Sequence, residues 1–498
     1  MTDLFSSGAV ILPVLLPLAG AAITTMLAPT PRVRRTVMEV TIALLFLASL
    51  NLLVRVAGGE VPVMAFGGWV PPFGVSLVGD RLSAAATMVT ALVAVAVTIY
   101  SRSDIRKRRR RAGFDPMFLA MLAAVNGAFL TGDIFNMYVW FELMLVTALG
   151  LVTLDRRRAQ IDGAIRYASM SMVGASLILL GIGLMYAELG VLDIRAAAAV
   201  MAGRDATLAT SAAAFLMVAG FGLKAGLFPF FFWLPASYHT APISVMAVLA
   251  GLLTKVGFYA CMRVVVMIFG VGAASRVDGL TVLLAVMASS TMLVAVLLAL
   301  AQTDIRRLLS YHVLAQVAYL VMGVAVATAL GVAAAIVYML HTMIVQTGLF
   351  MGAGAIARAN GSYDLSRGGG LMRQRPLLTI LFALPMFSVA GIPPFSGFWA
   401  KFLVIDAAFR GGSAWMAIVA IVAAVLTITS ISHFWTQAFW QAPLREHAIR
   451  PIPVAMMVGL ALMGATTLAI GIAIDPVAGY AREAAAQMMP AMIPASLP

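Results

Sequence analysis

Apolar runs of about twenty residues recur along this chain, separated by short polar connections. Wound as an α-helix, a run of that length crosses the hydrocarbon core of a bilayer. The pattern predicts fourteen spans, near residues 9–27, 36–57, 82–101, 114–132, 134–154, 163–188, 207–234, 242–269, 278–301, 307–326, 329–357, 377–409, 414–440 and 451–474. One all-α polytopic membrane body without soluble appendages is therefore expected. Its first run reads as a spanning helix, since the basic n-region of a signal peptide is missing and Asp3 is the only early charge.

Composition agrees. The chain is 62% hydrophobic and 11% charged over 498 residues, which excludes a soluble globular protein. A single cysteine, Cys261, leaves no disulfide framework and no multi-cysteine metal site. The net charge of +13 points to membrane topology and away from nucleic acid, because the cations gather in connections. Twenty-two follow odd-numbered spans and eight lie on the other side and its flanks, Arg263 among them. By the positive-inside rule the odd connections face the cytoplasm and both termini face outward.

The remaining three cations are Lys224, Lys255 and Lys401, all inside predicted spans. The chain has only four lysines against 29 arginines, yet every intramembrane cation is expected to be lysine. Arginine keeps its proton in any protein setting, whereas buried lysine can release it. Glu142 is a fourth intramembrane charge, in span 5. Each costs about 2.5–3.5 kcal/mol at a helix centre, so a role in proton movement is expected. A static Glu142–Lys224 salt bridge is the alternative for that pair alone. In the proton reading Glu142 sits beside Lys224 and controls its proton affinity. His312 and His341, in spans 10 and 11, are further relay candidates. His239 and His433 read as structural or interfacial. Asp133 reads as a turn and helix cap, and Asp406 lies off the helical face of Lys401.

An internal repeat frames these residues. Ala225-Gly226-Leu227-Phe228-Pro229-Phe230 recurs as Ala390-Gly391-Ile392-Pro393-Pro394-Phe395, 165 residues later, and a tryptophan follows each copy, Trp233 and Trp399. The copies lie in spans 7 and 12, an odd offset, so the second runs the opposite way across the membrane. Gly/Pro-broken helices at matching places in inverted halves are a transporter pattern. The expected division is an N-terminal three-helix segment, 1–113, then repeats 114–269 and 278–440, then span 14 and a tail, 441–498. GxxxxGK[ST] and HExxH are absent, so an ion gradient or a partner protein must drive transport.

Several strings together resemble the antiporter-like membrane subunits shared by Mrp-type Na⁺/H⁺ antiporters, respiratory complex I and membrane-bound hydrogenases. They are Gly132-Asp133-Ile134-Phe135-Asn136 running on to Glu142, Leu223-Lys224-Ala225-Gly226, Leu253-Thr254-Lys255-Val256-Gly257, Asp304-Ile305-Arg306-Arg307 running on to His312, and Gly397-Phe398-Trp399-Ala400-Lys401. The resemblance covers nearly the whole chain and is nearest to the D-type branch of the Mrp complexes. It implies two inverted five-helix repeats with broken helices 7 and 12. It implies that Glu142, Lys224, Lys255 and Lys401 carry proton translocation. It also implies a plasma-membrane transporter subunit, not an enzyme, assembled with other Mrp subunits and exchanging H⁺ for Na⁺ without a cofactor or bound metal. A proton-pumping subunit of complex I or a hydrogenase is the alternative. One departure is Gln346, where D-type relatives often carry lysine.

Overall fold

The computed structural model describes residues 2–27, 30–69, 74–442 and 450–489. Twelve of the described helices are long and apolar enough to cross a membrane. Two shorter apolar helices, Phe114–Leu130 and Pro376–Ala390, supply span 4 and the first half of span 12. Together these make fourteen candidate passes among the described residues, the number the hydrophobic pattern predicts. Spans 8 (Ile243–Phe269), 10 (Ile305–Ala325) and 11 (Ala329–Asn360) form the buried centre, and span 8 touches protein on every side. Spans 1, 2, 5, 6, 13 and 14 are buried over less than half of their apolar windows and form the rim.

Buried polar groups within this apolar body have local reasons. Pro17 in span 1 lacks the N–H that would bond the Pro13 carbonyl. Asn126, fully buried in span 4, supplies that donor from its side-chain amide at 2.9 Å.

Two cavities test the alternation of faces. Asp104, Asp155, Ile243, Tyr363 and Met456 surround one of them. Those residues lie next to the connections after spans 3, 5, 7, 11 and 13, all odd. Asp80, Thr131, Ile194 and Met267 surround the other, next to the connections after even spans. The first face is the cation-rich one.

The two halves carry a second repeated device. Asp133 pairs with Asp193 in an isolated antiparallel bridge, and Asp304 pairs with Asp364 in another. Ile134 N–H donates to Leu192 at 3.0 Å and Ile194 N–H to Gly132 at 2.8 Å. Ile305 N–H donates to Tyr363 and Leu365 N–H to Thr303, both at 3.0 Å. Asp133 also caps span 5 by accepting from Asn136 N–H at 2.7 Å, as the sequence suggested. The first bridge lies on the cation-poor face and the second on the cation-rich face, which is the inversion.

Three elements outside the spans were not foreseen. They are the hairpin β1 (Val63–Ala65) and β2 (Ser76–Val78), the short helix Ile194–Ala202, and the helix Ile474–Met488. The last is tied to the start of span 3. Arg81 pairs with Glu483 at 2.6 Å, and Tyr480 O–H donates to the Arg81 carbonyl at 2.8 Å.

Candidate functional site

Both copies of the repeated hexamer end a helix in the same way. Leu208–Ala225 stops at Gly226 with φ 81°, and Pro376–Ala390 stops at Gly391 with φ 86°. These left-handed positions suit glycine, which has no Cβ to clash. Leu227 N–H returns to Gly222 at 2.8 Å, and Ile392 N–H returns to Phe387 at 3.1 Å. That backbone pattern closes a helix C-terminus. Phe228-Pro229 and Pro393-Pro394 are both cis. The continuation differs: six helical residues, Trp233–Tyr238, against fifteen, Ser396–Arg410.

In the first half Lys224 occupies the last turn before the break and is buried. Its ammonium donates to Ser171 Oγ at 2.6 Å and lies 5.7 Å from the Phe141 ring centre. A cavity of about 20 Å³ adjoins it, lined by Tyr167, Ser171, Trp233 and Leu253 among others. That is room for one water molecule. Glu142 is half-buried and within electrostatic reach of Lys224, but it makes no ion pair among the described residues. One of its oxygens is buried without a partner. Glu142 thus lies near Lys224 without the salt bridge of the static alternative, and the ammonium's hydrogen bond goes to the Ser171 hydroxyl. Geometry explains this: the ammonium at the end of its helix meets span 6 first.

Lys255 is fully buried in span 8. A π-helical turn, Leu249–Leu253, precedes it, and its ammonium returns to the Ala250 carbonyl at 2.6 Å. Gly257 packs directly on the first break, since a Cβ there would stand 2.9 Å from Ala225 N. Gly251 packs on span 11, where a Cβ would stand 3.0 Å from the Met343 carbonyl. Two glycines thereby wedge the Lys255 helix between the first break and the His341 helix.

In the second half Lys401 comes from beyond the break and reaches back across it. Its ammonium donates to Val389 O at 2.9 Å and Ala390 O at 3.0 Å, two carbonyls at the end of the first half-helix. A cation suits that end of a helix dipole. In the first half a carbonyl of the same last turn, Leu223 O, accepts from the Trp233 indole at 3.1 Å. Trp399 makes no such bond; it packs with Phe398 and Phe402. The matching tryptophans of the repeat therefore do different things.

Around Lys401 lies an aromatic and hydroxyl cluster that sequence reading missed. Its ammonium is 5.7 Å from the Tyr319 ring centre. Tyr319 stacks on Tyr338 at 5.1 Å, and Tyr338 meets His341 edge-on at 5.6 Å. His341 Nδ1 bonds Ser396 Oγ at 2.8 Å. Thr467 of span 14 bonds Ser396 at 2.6 Å and Ser388 at 2.7 Å. His341 is within electrostatic reach of both Lys255 and Lys401. His312 Nε2 bonds Ser430 Oγ at 3.0 Å, and it too lies within reach of Lys401. Serine and threonine flanking the second break were the available signal.

Several buried polar atoms have no protein partner. They include Thr254 Oγ1, His312 Nδ1, Gln316 Nε2, His341 Nε2 and both amide atoms of Gln346. These six atoms belong to spans 8, 10 and 11; others, such as Glu142 Oε1 and Ser289 Oγ, lie elsewhere. Buried polar groups are normally satisfied, so these are places for ordered water.

The remaining charges are occupied elsewhere. His239 Nδ1 bonds Pro235 O at 2.8 Å, and His433 lies 2.9 Å from Gln437. Asp406 pairs with Arg410 at 2.9 Å and not with Lys401. Arg263 corrects the expectation that every intramembrane cation is lysine. It is buried within span 8, two turns beyond Lys255, and bonds Asp80 at 2.6 and 2.7 Å. Tyr259 O–H accepts from it at 2.8 Å. The buried arginine is neutralised by a carboxylate; among the described residues the three lysines are not.

A family model described as NADH:quinone oxidoreductase/Mrp antiporter, TM, matches residues 131–427. The D-type member of a Na(+)/H(+) antiporter from Alkalihalophilus pseudofirmus is 35% identical over 483 residues, covering 96% of this chain and 97% of that one. A chain of the Mrp complex from Dietzia sp. DQ12-45-1b superposes with a TM-score of 0.90 at 28% identity, over 98% of each chain. A chain of an archaeal membrane-bound sulfane sulfur reductase superposes at 0.89 with 24% identity, over 97% and 98%, a likeness of fold.

Proposed function

Because the chain belongs to the NADH:quinone oxidoreductase/Mrp antiporter membrane family, we propose that it is the proton-translocating subunit of a multisubunit Na⁺/H⁺ antiporter of the Mrp type. Its partners are the other subunits of that complex, and the exchanged ions are H⁺ and Na⁺. It is a secondary transporter subunit in the plasma membrane, with the cation-rich face in the cytoplasm and both termini outside.

One observation carries this reading. Three buried lysines have no carboxylate partner among the described residues, and two of them serve the matching breaks of two inverted halves. Residues 114–269 and 278–440 then act as two half-pathways joined at span 8. A proton on Lys224 Nζ passes through water to Lys255 Nζ. From there it passes along the orphaned atoms of Gln346, His341 and Gln316 toward Lys401 Nζ. Glu142 sets how firmly Lys224 holds its proton: ionised it favours the ammonium, and neutralised it lets the proton go. Gln346 holds no proton as a charge, so water must bridge that step.

The test is Na⁺/H⁺ exchange in everted vesicles carrying the full set of subunits. Lys224→Ala, Lys255→Ala and Glu142→Ala should each abolish exchange at normal expression. Normal exchange in Lys224→Ala or Glu142→Ala would sink the reading.

A further inference from the structure

On the cation-rich face, the connections after spans 3, 5 and 11 close around a cavity of about 430 Å³. Arg106, Arg108, Arg109, Arg157 and Arg358 line it, together with Asp104 and Asp155. Both acids are already committed. Arg109 donates to the two oxygens of Asp155 at 2.6 and 2.9 Å and lies 3.6 Å from Asp104. The hydrogen bond from Arg109 holds the Asp155 carboxyl below the usual carboxylate range, so it stays ionised. Asp104 also accepts from the N–H and hydroxyl of Ser244, at 3.0 and 2.7 Å, and so fixes the start of span 8.

Arg109 is thus the paired arginine of the five. Arg106, Arg108, Arg157 and Arg358 are exposed and make no ion pair among the described residues. Arg157 is also the N-cap residue of the 32-residue helix Arg158–Leu189, and no side chain caps that end. A helix N-terminus carries partial positive charge and free N–H groups. Four arginines without an ion pair among the described residues, from three connections, therefore line one cavity. Ordinary solvated loop charge needs no such convergence. Lys107, Arg111 and Arg156 belong to the same connections and do not line the cavity.

We propose that this cavity binds a phosphate-type oxyanion, carried by an anionic phospholipid headgroup or by a free phosphate compound. The guanidinium fork matches phosphate oxygens two at a time. The rest of the wall is mixed: Ile243, Gly354, Ala357 and Met456 give an apolar strip for the uncharged part of such a molecule, beside Ser103, Ser362 and Tyr363. Ile243 begins span 8, so an occupant rests on the helix that carries Lys255.

The experiment uses the purified full complex. One arm measures saturable binding of inorganic phosphate and pyrophosphate. The other compares phosphatidylcholine nanodiscs with and without phosphatidylglycerol, reading co-purified lipid by native mass spectrometry. The cavity variant is Arg106→Gln/Arg157→Gln/Arg358→Gln. The control is Lys107→Gln/Arg111→Gln/Arg156→Gln, which removes the same charge from the same connections. Wild type and control should bind in at least one arm, and the cavity variant at least about tenfold more weakly. Which arm binds identifies the source. In wild-type protein the bound anion should also shield Arg106, Arg157 and Arg358 from phenylglyoxal, a measurement that decides alone should the cavity variant fail to assemble. Equal weakening in both triple variants, or no saturable binding in either arm, overturns the proposal. So does shielding of these arginines by a neighbouring protein's acidic segment with no phosphate bound.

Discussion

In the first half of the molecule, the helix that stops at Ala225 carries its own lysine in its last turn, and an indole from beyond the break satisfies a terminal carbonyl. In the second half, the helix that stops at Ala390 has no lysine; Lys401 reaches back from beyond the break and satisfies two terminal carbonyls itself. The repeated hexamer builds the same break twice, yet the duties are divided differently. Lys224 is held by one hydroxyl and is free of structural work on the backbone. Lys401 is both a titratable group and a helix cap. Arg263 supplies the contrast within the same protein: a buried cation whose task is structural is an arginine with a carboxylate on it.

This difference predicts unequal responses to equal substitutions. Lys224→Ala and Lys401→Ala should both lower exchange by about a hundredfold or more, the scale of a lost proton-transfer group. Only Lys401→Ala should also weaken the fold, by about 1–3 kcal/mol for each carbonyl left unmet inside the membrane. Thermal unfolding in detergent checks this, and equal stability of the two variants would erase the distinction. Asp80→Ala should act the other way. It leaves Arg263 buried and unpaired, costing about 3–5 kcal/mol, while the folded fraction still exchanges ions. A stable Asp80→Ala protein lacking exchange would move that pair into the proton path.

Gly226→Ala and Gly391→Ala probe the shared part. Each places a Cβ at a left-handed position, at a cost of about 1–2 kcal/mol. The new Cβ of Gly391→Ala would stand 3.0 Å from Lys401 Cδ, whereas that of Gly226→Ala would meet Leu314. Exchange measured against folded protein should therefore fall more in Gly391→Ala. The smallest effect is expected for Ser171→Ala. It removes the hydroxyl from Lys224 and should slow exchange several-fold with little change in melting temperature, since a water in the adjoining cavity can take over the lost acceptor.

The span count, the broken helices and the inversion were legible because they rest on run length, on Gly and Pro, and on loop charge. Lys224, Lys255 and Lys401 stood out because each is expensive in an apolar run. Their partners were not legible. Ser171, Ser396, Thr467 and Tyr319 are ordinary residues of spanning helices, and only three-dimensional packing brings Ser171 to a lysine 53 positions away. Arg263 was misplaced for a related reason. It lies near the end of an apolar run, where a loop cation looks the same as a buried one, and its neutralising partner Asp80 is 183 residues away. The trailing tryptophans misled in the opposite direction, because a matching letter at nearly matching spacing does not fix what the ring touches.

The central claim is that the lysines act by releasing protons, and Lys401→Arg tests it most directly. Arginine keeps the positive charge and the donors for Val389 O and Ala390 O, and it does not deprotonate. Measured in everted vesicles beside Lys401→Ala, the arginine variant should keep the assembly and melting temperature that alanine loses, yet show no Na⁺/H⁺ exchange. Exchange at the wild-type rate in Lys401→Arg would contradict the account.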